Sequence, residues 1–169
     1  DDKDFKSILT NIKNQTPDAI FIPDYYGTVG LIATQAKELG MTAKYLGGDG
    51  WDGVQKDFAA VTEGAVFASQ FAPDDTTPMV QKFIAAYKEK TGTDPNVFAA
   101  LGYDTGNLIE AALKVAKDTS SEAVRDALKG LSLELVTGKL VFDADRNPQK
   151  AVTFVEVKGG KVVLKEKVQ

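Results

Sequence analysis

Cysteine and histidine are both absent from the 169 residues. The chain therefore offers no thiolate nucleophile, no Ser-His-Asp triad, no imidazole base near neutral pH and no Cys/His zinc site. The missing cysteines also remove the disulfide clue to compartment without replacing it. No run approaches the roughly 20 apolar residues that span a bilayer. The opening Asp1-Asp2-Lys3-Asp4 lacks the basic and apolar regions of a signal peptide, so the chain reads as soluble as given, or already processed. An excess of positive charge is missing too. Lys+Arg number 20 against 24 Asp+Glu, a net −4, which argues against a phosphate backbone, and no nucleic-acid partner is expected. What remains is 43% hydrophobic residues, the composition of one large or two small globular domains.

Apolar spacing then orders the chain. Phe5, Ile8, Leu9 and Ile12 make Asp4 to Asn14 an amphipathic helix. Ala19-Ile20-Phe21-Ile22, closed by Pro23-Asp24, has the look of a strand buried on both faces. A helix follows from Thr28 to Leu39, with Gly40 where a left-handed C-terminal residue is wanted. Tyr45 to Gly47 is the next strand, Gly48 to Gly53 a loop, Gln55 to Ala60 a short helix, and Ala65 to Ser69 a third strand. That alternation predicts a parallel α/β sheet. The proline-rich stretch Phe71 to Pro78 reads as a crossover between lobes, followed by helices at Met79 to Thr91, Phe98 to Lys117 and, capped by Ser120 or Ser121, up to Leu128. Short β segments close the chain at Gly138 to Phe142, Ala151 to Val157 and Val162 to Val168, the last two joined as a hairpin through Lys158-Gly159-Gly160-Lys161.

In open parallel sheets, ligands bind beyond the carboxyl ends of the strands, which directs attention to the loops after Ile22 and Gly47. The first carries Asp24-Tyr25-Tyr26-Gly27-Thr28. The second carries Asp49 between glycines, beside Trp51, the single tryptophan. A carboxylate among glycines and aromatics suits a ligand cation, because an ammonium leaving water needs a paired negative charge and acceptors. Trp51 would add an apolar or cation-π wall. The competing reading is that Asp49 caps a helix beginning near Trp51 while the tyrosines pack at a sheet edge. Asp143-Ala144-Asp145-Arg146-Asn147 imitates the first half of a calcium loop. Pro148 stands where that loop needs glycine and Phe154 where it needs its bidentate Glu, so a turn is expected and no metal. Gly47-Gly48-Asp49-Gly50 lacks the continuation of a nucleotide-binding loop, and no cofactor is implied.

One ordered set of segments carries a resemblance: Asp4 to Thr10, Pro17-Asp18-Ala19-Ile20, Gln35 to Gly40, Gly47 to Gly50, Phe98 to Asp104, and Val157 to Lys161. Together they resemble the periplasmic branched-chain amino-acid-binding proteins, the extracytoplasmic receptors of ABC importers. The resemblance implies the type I periplasmic-binding fold: two α/β lobes of parallel sheets flanked by helices, joined by three crossing strands, which close by a hinge on an amino acid. It maps residues 1–72 and 151–169 to the second lobe, lacking that lobe's opening strand-helix-strand unit, and residues 73–150 to the first lobe and its hinge crossings. Both lobes are then incomplete. Tyr25 and Asp49 match family positions that meet the ligand, the acid receiving the α-ammonium. Phe98 falls near a first-lobe aromatic that borders the ligand, while the role of Trp51 is inferred from its place beside Asp49. Aspartate is shorter than the glutamate of some members, so the ammonium contact runs directly or through a bridging water. The family's donors for the ligand carboxylate lie outside this chain.

The expected function is accordingly non-enzymatic: the solute-binding component of an importer for aliphatic or branched-chain amino acids. Its partners would be the amino acid, a membrane ABC permease, and the missing N-terminal portion of the same protein or a second copy. The location would be periplasmic or extracytoplasmic, with a lipoprotein anchor in a Gram-positive cell. Two rivals stand beside it. One is an amide- or amino-acid-sensing domain of the same fold. The other is an α/β enzyme domain with Asp49 as base and Tyr25 as acid, for which no nucleophile or cofactor motif is present.

Overall fold

The structure, a computed structural model, describes residues 2–168. The chain divides into two compact units, Asp1–Ala72 with Thr153–Glu166, and Pro73–Val152 with Lys167–Gln169. Among the described residues no helix is long and apolar enough to cross a membrane.

The first unit is a sheet covered on one face by helices. Its elements are α1 (Lys6–Lys13), β1 (Ala19–Ile22), α2 (Tyr26–Glu38), β2 (Lys44–Gly47), the short α3 (Val54–Asp57) and α4 (Ala59–Thr62), and β3 (Val66–Ser69), with most of β7 (Val152–Lys158) and β8 (Lys161–Val168). The strand order is β1-β2-β3-β7-β8. The first three strands are parallel, as the alternation of strands and helices requires, but β7 runs antiparallel to β3, pairing Phe67 with Val155. The sheet is thus mixed rather than wholly parallel. Gly159 and Gly160 join β7 to β8 with φ of 58° and 75°, the pair of positive angles that a two-residue hairpin turn demands. Helix α2 ends as its glycine foretells: Gly40 at φ 70° lets Met41 N–H reach the Ala36 carbonyl and Gly40 N–H the Lys37 carbonyl, a Schellman closure.

Leu9, Val29, Ala33, Ala36, Trp51 and Val54 come from the helices and the turn after β2, and they bury against Ile22, Tyr45, Phe67, Val155 and Val157 of the sheet. The opposite sheet face is open in part. Phe21 and its register partner Leu46 are 62% and 40% exposed. The expectation that β1 is buried on both faces is therefore corrected. β1 is the end strand, and the helices of its unit cover only the face carrying Ile22.

The second unit holds α5 (Pro78–Thr91), α6 (Val97–Val115) and α7 (Ser121–Lys129), with an antiparallel sheet of β4 (Ser132–Leu135), β5 (Gly138–Phe142) and β6 (Pro148–Gln149). Parallel pairing was expected of the lobes, yet these strands follow one another through short turns, which only antiparallel neighbours allow. The caps are side chains of the expected kind: Asn96 accepts from Ala99 N–H at 2.9 Å and Ser120 from Ala123 N–H at 3.3 Å. Ahead of α5, the buried Asp75 carboxylate accepts from the Thr77 amide and hydroxyl and from the Lys167 ammonium. Burial opposes its ionisation, but these donors together hold its pKa below the ordinary value. Buried Asp104 of α6 accepts from the Val136 and Thr137 amides at 2.9 and 2.8 Å, fastening the β4–β5 turn to the helix. In the 143–147 turn, Asp143 accepts from the amides of Asp145 and Asn147 and from the Asn147 side chain, so its carboxylate is engaged in shaping the turn.

Candidate ligand-binding site

The carboxyl ends of β1, β2 and β3 lie on one edge of the sheet, and the first two are followed by polar loops. After β1 the chain turns at Pro23-Asp24, and Tyr25 in extended backbone starts α2. Asp24 Oδ1 accepts from Tyr25 N–H at 2.6 Å. After β2, Gly48 is extended and Asp49–Trp51 forms a single 3-10 turn, with Trp51 N–H reaching the Gly48 carbonyl at 3.2 Å.

Trp51 fixes this turn. The side chain has no exposed surface, its ring lies against Gly47 and 5.9 Å from the Phe67 ring, and its Nε1–H donates to the Ile22 carbonyl at 2.9 Å. An indole buries well when its single donor finds a partner. Here that partner is the last residue of the adjacent strand, so one side chain ties the second loop to the first. Gly50 completes the contact, since a Cβ there would lie 3.0 Å from the Asp24 carbonyl and 3.2 Å from the Tyr25 ring. The ligand-facing wall expected of Trp51 is replaced by this anchoring role, because its ring is wholly enclosed in the core.

The two loops thereby bring Tyr25 and Asp49 to the same edge with both side chains outward. Tyr25 is 75% exposed, and Asp49 is exposed as well. Asp49 does not act as a helix cap. The residues capping the 3-10 turn and α3 are Gly48 and Gly53, and neither start carries a side-chain cap hydrogen bond. Phe98, the second residue of α6, is 68% exposed on the other unit.

Two residues not singled out from the sequence complete the geometry. Asp52 leaves the 3-10 turn and receives the Ser69 hydroxyl on Oδ2 at 2.9 Å, which ties the second loop to the end of β3. Burial, against the relief of the Ser69 hydrogen bond and with the nearby Asp49 charge adding to it, pushes the Asp52 carboxyl up to about 6. The signal available was a serine ending a parallel strand and a second acid three residues after Asp49. Neither residue type alone distinguishes such a pair from a solvated loop. Among the described residues no group of three or more acidic side chains is gathered closely enough to hold a metal ion.

The model of the periplasmic binding protein family matches residues 1–161. The chain belongs to this family. Its fold is the α/β architecture of type I periplasmic binding proteins. The leucine-, isoleucine-, valine-, threonine- and alanine-binding protein of Pseudomonas aeruginosa is 27% identical over 146 residues, 84% of this chain and 38% of that protein. Among solved structures, the leucine-binding protein LivK of Thermotoga maritima superposes with a TM-score of 0.88 at 30% identity, over 99% of this chain and 49% of its own. LivJ of Streptococcus pneumoniae, a branched-chain amino acid transporter substrate-binding protein solved with isoleucine, gives 0.84 at 35% identity, over 98% and 49%. The chain thus spans about half or less of the length of these relatives. They are binding proteins, and periplasmic binding proteins are receptors rather than enzymes, so the enzyme reading of Asp49 and Tyr25 is set aside.

Proposed function

We propose that this chain is part of an extracytoplasmic solute-binding protein, about twice its length, that delivers aliphatic or branched-chain amino acids to a membrane ABC permease. The observation that carries the ligand reading is the pairing of Asp49 and Tyr25. Both are outward side chains at the carboxyl ends of neighbouring parallel strands, on loops locked together by Trp51 and Gly50. Asp49 supplies the counter-charge for an α-ammonium and Tyr25 a hydroxyl and a ring beside it. The relatives that bind leucine, isoleucine and valine support this class of ligand. Phe98 is assigned to the same ligand on its family position alone. The lobe assignment of residues 1–72 and 151–169 against 73–150, and an anchor by lipid in a Gram-positive cell, belong to the same proposal.

Calorimetric titration of the full-length protein with L-leucine, L-isoleucine, L-valine and small aliphatic amides tests it. One-to-one binding of the amino acids, with the amides silent, is the expected outcome. Preference for the amides would replace the importer reading by a sensing one. Neither class binding would overturn both.

A further inference from the structure

Asp52 is the acidic group of the loop that the ligand reading leaves unused. It is half-buried, three residues from Asp49 on the same turn, and bonded to the hydroxyl at the end of β3. Resting on the proposed ligand site, we infer that Asp52 is a second anionic group of that site, a positioning residue whose ionisation governs how strongly the loop holds an ammonium group.

The geometry supports this from each side. Ser69 donates to Oδ2 at 2.9 Å and also leans toward the Phe71 carbonyl at 3.4 Å, so β3 presents a hydroxyl to Asp52 and no charge. Its own turn presents Asp49, whose charge bears on it. The start of α2 carries Asp24 and the phenols Tyr25 and Tyr26, of which Tyr26 lies beside Gly53, the residue after Asp52. Helix α3 carries Lys56 and Asp57, both exposed. The acid whose field reaches Asp52 is thus Asp49, the residue assigned to the ligand. A cation placed against Asp49 relieves that repulsion and favours the charged form of Asp52. With the free carboxyl near 6, ligand binding then expels a proton in mildly acidic solution. By linkage the same coupling weakens binding as the pH falls below that value.

The test is calorimetry with L-leucine on the full-length protein at about pH 7.5 and about pH 5, in buffers of different ionisation enthalpy. Burial still opposes the charge, so if the bound ammonium brings the Asp52 carboxyl from about 6 down to about 5, affinity falls about fivefold between those two conditions, and protons are released near pH 6. Asp52→Asn should bind at both pH values with close to the acid-side affinity of the wild type and release no proton. Ser69→Ala removes the bond that favours the charged form, so its affinity should begin to fall at a higher pH. The thermal midpoint of Asp52→Asn at neutral pH should not lie below wild type, because burial disfavours the charge it removes, and this separates a folding defect from lost coupling. Binding that ignores pH, or a pH dependence that survives in Asp52→Asn, overturns the inference alone. Absence of leucine binding at either pH overturns the ligand reading and the inference with it.

Discussion

Trp51 and Gly47 show how much of the site depends on a single van der Waals contact. A Cβ at position 47 would sit 2.2 Å from a ring carbon of Trp51, far inside contact distance, and the enclosing core leaves the indole no small adjustment. Gly47→Ala is therefore expected to expel the ring, break its bond to Ile22 and release the Asp49 turn. The cost is about 1–3 kcal/mol of stability, with a red shift of the single tryptophan's emission as the direct readout. An unshifted spectrum would show that the indole tolerates the methyl group. That Asp49 and Tyr25 stand on loops at one edge of the sheet was legible from sequence, because strand ends in parallel sheets are where polar loops gather. The enclosure of Trp51 was not, since an aromatic beside a glycine-rich loop serves equally as ligand wall or as anchor. What decides between them is the carbonyl of Ile22, which lies 29 positions away along the chain.

At the level of elements, Asp104 does for the second unit what Trp51 does for the first. Its carboxylate satisfies two buried amides at the β4–β5 turn, and its field bears on half-buried Lys150, which donates to Thr137 at 2.6 Å and whose pKa burial lowers. Asp104→Ala should cost about 2–4 kcal/mol in denaturant unfolding, because the Val136 and Thr137 amides lose their partner away from water. A change below about 0.5 kcal/mol would mean that water replaces the carboxylate at that turn. Elements framed by turn residues, such as β1, β2, β3 and the hairpin at Gly159-Gly160, were readable from their own residues. β4 was not. Its four residues alternate exposed Ser132 and Glu134 with half-buried Leu133 and Leu135, a pattern too short to distinguish from loop without its partner β5. The segment read as one helix at 55–60 is two, α3 and α4, divided at Phe58, whose ring packs against Gly30 of α2. That tertiary contact leaves no periodic trace in the sequence.

At the scale of the molecule, each unit leaves apolar side chains in water. Phe21 and Leu46 share an open sheet face of the first, while Ile109, Leu113 and Val115 of α6 are 49%, 45% and 63% exposed on the second. Contiguous apolar surface of this kind marks places where other protein packs. With relatives about twice as long, residues outside this chain, or a second copy, are the proposed cover. The chain on its own should therefore self-associate in sedimentation velocity at micromolar concentration, and a single well-behaved monomer would count against the proposed cover. The ordered set of segments from Asp4 to Lys161 made the family resemblance readable from sequence. The mixed direction of the sheet was not, because β7 joins β3 from a distant part of the chain.

The central claim is that the Asp49 carboxylate receives the ammonium of an amino acid, and the most direct measurement is the affinity of full-length Asp49→Ala for L-leucine by calorimetry at neutral pH. Removing one partner of a desolvated charge pair costs at least about 2 kcal/mol, so affinity should fall about 30-fold or more while the tryptophan emission stays that of the folded protein. Wild-type affinity in that variant would contradict the account.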